Sequence, residues 1–241
     1  MTTDPTQELS SGTGGAQGTG FLRTRWWWVR HAPVRSDEGR IYGQADIACD
    51  CGDTHIFKAL ATELPRDAVW ITSHLGRTRQ TAEALWQAGC LGHGAAIPSA
   101  IVVRDFAEQN LGVWQGQDRA GFFADREALP ASYWFAPAEE RPPKGESFAD
   151  LCRRVAAEID RLTDEHAGRD IVAVAHGGTI RGAIAHALRL EPQAALAFAV
   201  ENCSLTRLDH YAGATGSGWR VGVVNRHAWP QGGPTRPAAQ G

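Results

Sequence analysis

The sequence predicts a layered α/β domain built on a mostly parallel sheet. Three observations predict it. Short runs of apolar, β-branched or aromatic residues alternate with helical periods along most of the chain. One run, Ile171 to Ala175, is apolar throughout, as a strand covered on both faces must be. The chain has 241 residues, 43% of them apolar and 21% charged. That length buries roughly 70 to 75% of the unfolded surface, so the core needs neither disulfides nor a structural metal.

In chain order, residues 1–22 hold Thr, Ser, Gly, Gln and Asp with little to bury and read as a disordered leader. The glycine-rich run from Gly12 to Gly20 has no strand before it and no helix after it, so it is not a phosphate loop. Arg25 to Arg30, aromatic and β-branched, reads as a strand, and Val69 to Thr72 as a short one. Arg77 to Gln87 is rich in Ala, Leu, Glu and Gln and reads as a helix. Ile101 to Val103 is a third strand. Between Ser147 and Glu165 the residues Phe148, Leu151, Val155, Ile159 and Leu162 recur three or four apart and make one core-facing stripe. After the Ile171 to Ala175 strand and a Gly-Gly turn, a second apolar helix runs from about Thr179 to Leu190, with Pro192 expected to stop it. Leu205 to Leu208 and Arg220 to Val224 complete the strands. Gly213 to Gly218 reads as a loop, and the chain after His227 as a frayed tail.

Composition excludes several classes. The formal net charge is −3, which argues against a nucleic-acid binder. All cationic residues except Lys58 and Lys144 are arginine, a usage that genome composition explains at least as well as function does. The cysteines Cys49, Cys51, Cys90, Cys152 and Cys203 are odd in number and irregular in spacing, which argues against a secreted disulfide scaffold. Cys49 and Cys51 with His55 sketch a metal site, but no second cysteine pair completes it, so no metal and no cofactor is expected. Without a signal-like start or an apolar run of membrane-spanning length, the expected compartment is the cytoplasm. Neither a nucleic-acid nor a membrane partner is expected; a homodimer is left open.

In parallel sheets, ligands sit beyond the carboxyl ends of the strands. Arg30 and His31 directly follow one strand, and His176, with Gly177 and Gly178, follows another. One such histidine is usually a structural hydrogen-bonding residue; two on adjacent strand exits, beside an arginine and a diglycine, are harder to explain that way. An imidazole among guanidinium groups loses affinity for its proton, and a neutral imidazole is a nucleophile. Ser73 to Ala82 also leaves a strand and opens a helix. Arg77 falls in that helix's first turn, where its fork can hold two phosphate oxygens, while Arg79 reads as a surface residue. Glu108 follows a further strand exit and can donate a proton to a leaving oxygen.

Arg30-His31-Ala32, Ser73 to Ala82, Glu108 with Gly112-Val113-Trp114-Gln115-Gly116, Gly145-Glu146-Ser147 and His176-Gly177-Gly178 together resemble the histidine phosphatase superfamily, the phosphoglycerate mutase-like proteins, over roughly residues 25–210. The resemblance implies a three-layer α/β/α sandwich with a mostly parallel mixed sheet, spanning residues 23–227. It also implies a variable cap at about 117–145; composition leaves 228–241 as a flexible tail. His31 would be the nucleophile that becomes phosphohistidine; Arg30, Arg77 and His176, with Gly43 and Gly177, would bind the phosphoryl group; Glu108 would be the general acid. The tract from Gly39 through Tyr42, Gly43, Gln44 and Asp46, and the segment Pro142 to Phe148, look more like the α-ribazole phosphatase branch of cobalamin synthesis than like glycolytic mutases.

The chain departs from the family at Ala32, where Gly is usual, and at Gln115, where Glu is usual; Tyr42 lies where mutases tend to carry Thr. With no second basic cluster evident for a substrate carboxylate, hydrolysis is expected over isomerisation. Retention of all five site residues argues against a non-catalytic phosphate-binding module. Trp26, Trp27 and Trp28 read as sheet packing, with one of them at the surface. Phe122 to Lys144 shows no clear period and reads as a cap or a packed loop whose aromatic residues suit a ring-bearing leaving group.

Overall fold

A computed structural model describes residues 21–91, 98–124, 126 and 134–228. Most of the expected leader, including the glycine-rich run, lies outside the described residues, as do part of the expected cap and nearly all of the expected tail.

The elements are β1 (Leu22–Arg30), α1 (Thr54–Glu63), β2 (Ala68–Thr72), α2 (Gly76–Gln87), β3 (Ile101–Val102), α3 (Arg119–Ala124), α4 (Phe148–Glu165), β4 (Asp170–Ala175), α5 (Gly177–Leu188), α6 (Pro192–Ala195), β5 (Leu205–Gly213) and β6 (Gly216–Arg226). They form a mixed six-stranded sheet of order β3-β2-β4-β1-β5-β6. The β3–β2, β2–β4 and β4–β1 pairs are parallel; β5 and β6 add an antiparallel edge.

Side-chain alternation sorts the core into two halves. Trp26, Trp28, Ile171 and Ala173 pack under the helices α4 and α5, and Trp27, Val29, Val172 and Val174 under α1 and α2. All three tryptophans are buried; none lies at the surface, because both faces of β1 are covered. Trp26 stacks on Trp28 at 5.0 Å and donates Nε1–H to Thr163 Oγ1 at 3.0 Å. Trp27 donates to Asp170 Oδ1 at 2.9 Å.

The α4 stripe holds as expected, with Ser147 as N-cap in a reciprocal box with Asp150. Three boundaries differ. Strand β1 begins at Leu22, inside the expected leader, because β5 extends alongside it to Ala212. Helix α5 ends at Arg189 in the left-handed region (φ 53°), ahead of Pro192, which instead opens α6. The Gly213 to Gly218 loop is the tip of the β5–β6 hairpin, with Gly213 paired to Gly216. Helix α1 has no counterpart among the expected elements. It buries Phe57, Leu60 and Ala61, and Asp53 caps it by accepting from the His55 and Ile56 amides.

Candidate active site

Strands β1 and β4 are neighbours in register, with Arg30 opposite Ala175. The next residue on each is a histidine, and the His31 amide donates to the Ala175 carbonyl at 3.0 Å. The rings of His31 and His176 therefore meet, with centroids 5.2 Å apart and planes tilted by 60°. Both are essentially fully buried, at 1% and 0% exposure. Burial, then the charges of Arg30 and Arg77, hold His31 well below its ordinary 6.5. Burial, then Arg77, His31 and Arg30, do the same for His176. Both rings are neutral near pH 7.

His31 Nδ1–H donates to the Ala32 carbonyl at 2.7 Å, which leaves the lone pair on Nε2. Two further bonds pin this stretch: Asn202 donates to the His31 carbonyl at 2.8 Å, and the Ala32 amide donates to Thr81 Oγ1 at 2.9 Å. His176 Nε2 is bonded to Ser73 Oγ at 2.8 Å. Its buried Nδ1 has no hydrogen-bond partner among the described residues.

Arg30 and Arg77 each also bury an unpartnered Nε. Arg30 Nη1 donates to the Val200 carbonyl at 2.6 Å. Arg77 sits in the first turn of α2, as expected, but its fork is partly committed: Nη1 donates to the Ala45 carbonyl at 2.8 Å and Nη2 to the Gly43 carbonyl at 2.7 Å. Three of its five N–H groups remain for a ligand. Tyr42 lies against the guanidinium at 5.3 Å, which gives that departure from the family a role in holding Arg77. Gly43 contributes its carbonyl to Arg77, at a φ of +44° that favours glycine, and a Cβ there would meet Gln115 Oε1 at 2.5 Å. Arg79 is a surface residue, 70% exposed and paired with Glu83.

Glu108 reaches the N-terminus of α5, where Oε1 accepts from the Gly178 amide at 3.1 Å and from the Gln109 amide at 2.9 Å. A Cβ at Gly178 would lie 2.3 Å from Glu108 Oε1, and one at Gly177 3.2 Å from Arg181 Nη1. The diglycine thus makes room for a carboxylate and a guanidinium. Gln115 accepts from the Gln44 amide at 2.7 Å, and Gln44 Nε2 donates to the Glu108 carbonyl at 2.8 Å, so the amide at 115 orders the loop.

A cleft of about 300 Å³ opens here, lined by Arg30, Glu108, Tyr42 and Trp134 and by two arginines that sequence reasoning missed, Arg119 and Arg181. His31, Arg77 and His176 are buried and are not among its lining residues. Arg181 packs over Trp134 at 4.9 Å, and burial beside Arg30 lowers it to about 10. Arg119, paired with Asp37, and Arg181 give the cleft a basic lining that the sequence did not reveal, which removes that ground for preferring hydrolysis. The signal was present for Arg181, one helical turn beyond Gly177. A third missed residue, Arg154, fastens the Glu108 loop: it forks onto Glu146 and donates to the Ala107 and Glu108 carbonyls at 3.0 and 3.1 Å.

Among the described residues, no group of three or more His, Cys, Asp or Glu side chains is placed to hold a metal ion. Nor is any helix among them long and apolar enough to cross a membrane.

The profile of the histidine phosphatase superfamily (branch 1) matches residues 26–225. A Shigella boydii protein named Probable phosphoglycerate mutase GpmB is 29% identical over 198 residues, covering 80% of this chain and 88% of that protein. The native structure of a mycobacterial glucosyl-3-phosphoglycerate phosphatase superposes with a TM-score of 0.70 at 25% identity, covering 84% of this chain and 99% of the other. The α-ribazole phosphatase of Shigella flexneri gives 0.64 at 22% identity, covering 86% and 98%, a likeness of fold. With its profile match running from β1 into β6 and two buried imidazoles meeting between arginines, the chain belongs to the histidine phosphatase superfamily, branch 1, whose chemistry is of the phosphatase or mutase type.

Proposed function

We propose that this chain hydrolyses a small phosphomonoester through a phosphohistidine on His31. The observation that carries the reading is the pair of neutral rings 5.2 Å apart with Arg30 and Arg77 close enough to depress His31. His31 Nε2 attacks phosphorus as the ester oxygen departs. Unpartnered N–H groups of Arg30 and Arg77, with His176, stabilise the charge spread over the equatorial oxygens. Glu108, protonated in the first step, gives its proton to the leaving oxygen. As carboxylate it then takes one from the water that attacks phosphohistidine and frees phosphate.

Two leaving groups suit the cleft. Aromatic lining suits the ring of α-ribazole 5'-phosphate, the substrate first suggested by the Gly39 to Asp46 tract. Arg119 and Arg181 favour instead an alcohol bearing a carboxylate, as in phosphoglycerate esters. Hydrolysis over isomerisation draws support from the phosphatase that aligns over 84% of the chain. The test is rapid quench with labelled α-ribazole 5'-phosphate, glucosyl-3-phosphoglycerate and 3-phosphoglycerate. Acid-labile label on His31 and free phosphate as product are expected, with both lost in His31→Ala. Turnover by His31→Ala refutes the nucleophile; from 3-phosphoglycerate with a bisphosphoglycerate primer, 2-phosphoglycerate formed faster than phosphate refutes the hydrolase.

A further inference from the structure

The Cys49-Asp50-Cys51 motif is not used by the phosphate site, yet it touches the supports of that site. Both cysteines are partly exposed, and their Sγ atoms lie 3.6 Å apart. Cys49 is fastened to the first turns of α2. Its amide donates to Gln80 Oε1 at 3.0 Å, and its Sγ lies 3.3 Å from the Arg77 carbonyl oxygen and 3.6 Å from Thr81 Oγ1. Thr81 is the link to the histidine: its hydroxyl donates to the Arg77 carbonyl at 2.8 Å and accepts the Ala32 amide at 2.9 Å.

We propose that Cys49 and Cys51 form a dithiol modification site, oxidised by a peroxide to an intrachain disulfide that loosens the Thr81 contact fixing the backbone beside His31.

The two thiols are matched to unequal roles. Hydrogen bonding with Cys51, opposed by desolvation and helped by Thr81 and the Arg77 charge, lowers Cys49 to about 7, whereas the same partnership pushes Cys51 up. Cys49 thiolate attacks one peroxide oxygen; the O–O bond breaks, the departing hydroxide takes a proton to become water, and Cys49 becomes a sulfenic acid. Cys51 sulfur then attacks Cys49 sulfur. The S–S bond forms, the S–O bond breaks, and the hydroxide leaves as water with the Cys51 proton. Both cysteines are oxidised and one peroxide is reduced to two waters. Closing the 3.6 Å separation to a bond of about 2.05 Å requires the sulfurs to approach by about 1.5 Å. That approach changes the packing of the sulfurs on the Arg77 carbonyl and on Thr81, which interacts with both thiols. Cys203, which interacts with both thiols, is buried and pushed up to about 12, so it stays protonated and inert.

The test treats the full chain with hydrogen peroxide, then follows two readouts: peptide mapping after denaturation and iodoacetamide, and hydrogen exchange at the Ala32 amide by NMR. The peptide carrying Cys49 and Cys51 is expected to be about 2 Da lighter and unalkylated. Exchange at Ala32 is expected to accelerate by about tenfold, and dithiothreitol to reverse both changes. Cys51→Ser should match the reduced protein's exchange at Ala32 before peroxide, and after it show neither the link nor the acceleration. Alkylatable Cys49 and Cys51 after treatment, a link to Cys203 in their place, unchanged exchange at Ala32 despite the disulfide, or acceleration in Cys51→Ser would each overturn the proposal.

Discussion

Replacing Gly178 by Ala tests the assignment of Glu108 as proton donor without touching that residue. The new methyl would sit 2.3 Å from Glu108 Oε1 and 3.1 Å from Leu151 Cδ1. Since carbon and oxygen settle at about 3.3 Å, the carboxyl must retreat by about 1 Å. It is the end of a flexible side chain, so the retreat costs the fold little, and Ala in place of helical Gly returns up to about 1 kcal/mol. A displacement of that size at a reacting group slows chemistry by about 100-fold, or about 2.7 kcal/mol in the barrier. The expected result is a kcat on an alkyl phosphate about 100-fold lower, with Tm within about 4 °C of the unmodified chain. On p-nitrophenyl phosphate, whose leaving group needs little protonation, the loss in kcat/KM, which reports the first half-reaction alone, should be about tenfold or less. Phosphate release across a range of ester concentrations, with a thermal melt alongside, measures all three. Gly182→Ala, which crowds Leu151 but not Glu108, is the control and should keep its turnover. An alkyl-ester kcat within about threefold of the parent, or equal losses in kcat/KM on both esters, would refute the role of Glu108 as proton donor.

Three further outcomes follow from the geometry. Because His31 and His176 are held below their ordinary 6.5, the unfolded chain binds protons that the folded chain refuses. Their stabilisation is whole above that pH and is lost below it, by up to about 1.4 kcal/mol per pH unit per ring. Melts between about pH 7.5 and about pH 5 should therefore slope more steeply than those of His31→Gln/His176→Gln, and equal slopes would contradict this. Arg181→Met should raise KM for carboxylate-bearing esters by about tenfold and leave p-nitrophenyl phosphate within about twofold; a uniform loss would place Arg181 with the phosphoryl group instead. Gly112→Ala should destabilise the chain by about 2 to 4 kcal/mol in urea, since φ is +49° and a Cβ would lie 2.1 Å from the Pro143 carbonyl oxygen, which is backbone and cannot swing aside.

Much of the site was legible because its members sit at strand exits, which a sequence marks by an apolar run ending in a polar residue. His31, His176, Arg77 and Glu108 were found that way. Arg119 was not, because nothing in a one-dimensional pattern separates an arginine that lines a cleft from one on a solvated helix face, and the place of Arg181 one turn beyond the diglycine was not read. Arg154, on α4 outside its apolar stripe, was hidden by the same degeneracy. Helix α1 escaped because Thr54, His55, Ile56 and Thr62 are weak helix formers, and the helix is stabilised by the packing of Phe57 and Leu60 against the sheet. The β5–β6 tip read as a loop because Gly213, Gly216 and Gly218 carry the composition of one, while the antiparallel partner that makes it a hairpin is invisible locally.

The abutting ends of β1 and β4 carry a consequence for how activity appears during biosynthesis. Arg30 and Ala175 face one another only once the intervening chain has crossed over to lay the two strands side by side, a long and slow closure. A nascent polypeptide released or stalled before the fourth strand is complete would carry His31 but no chamber to desolvate it, and the proposed transfer would not occur. In this chain the proposed activity is thereby tied to completion of the sheet's middle, so that half-built chains are silent by construction.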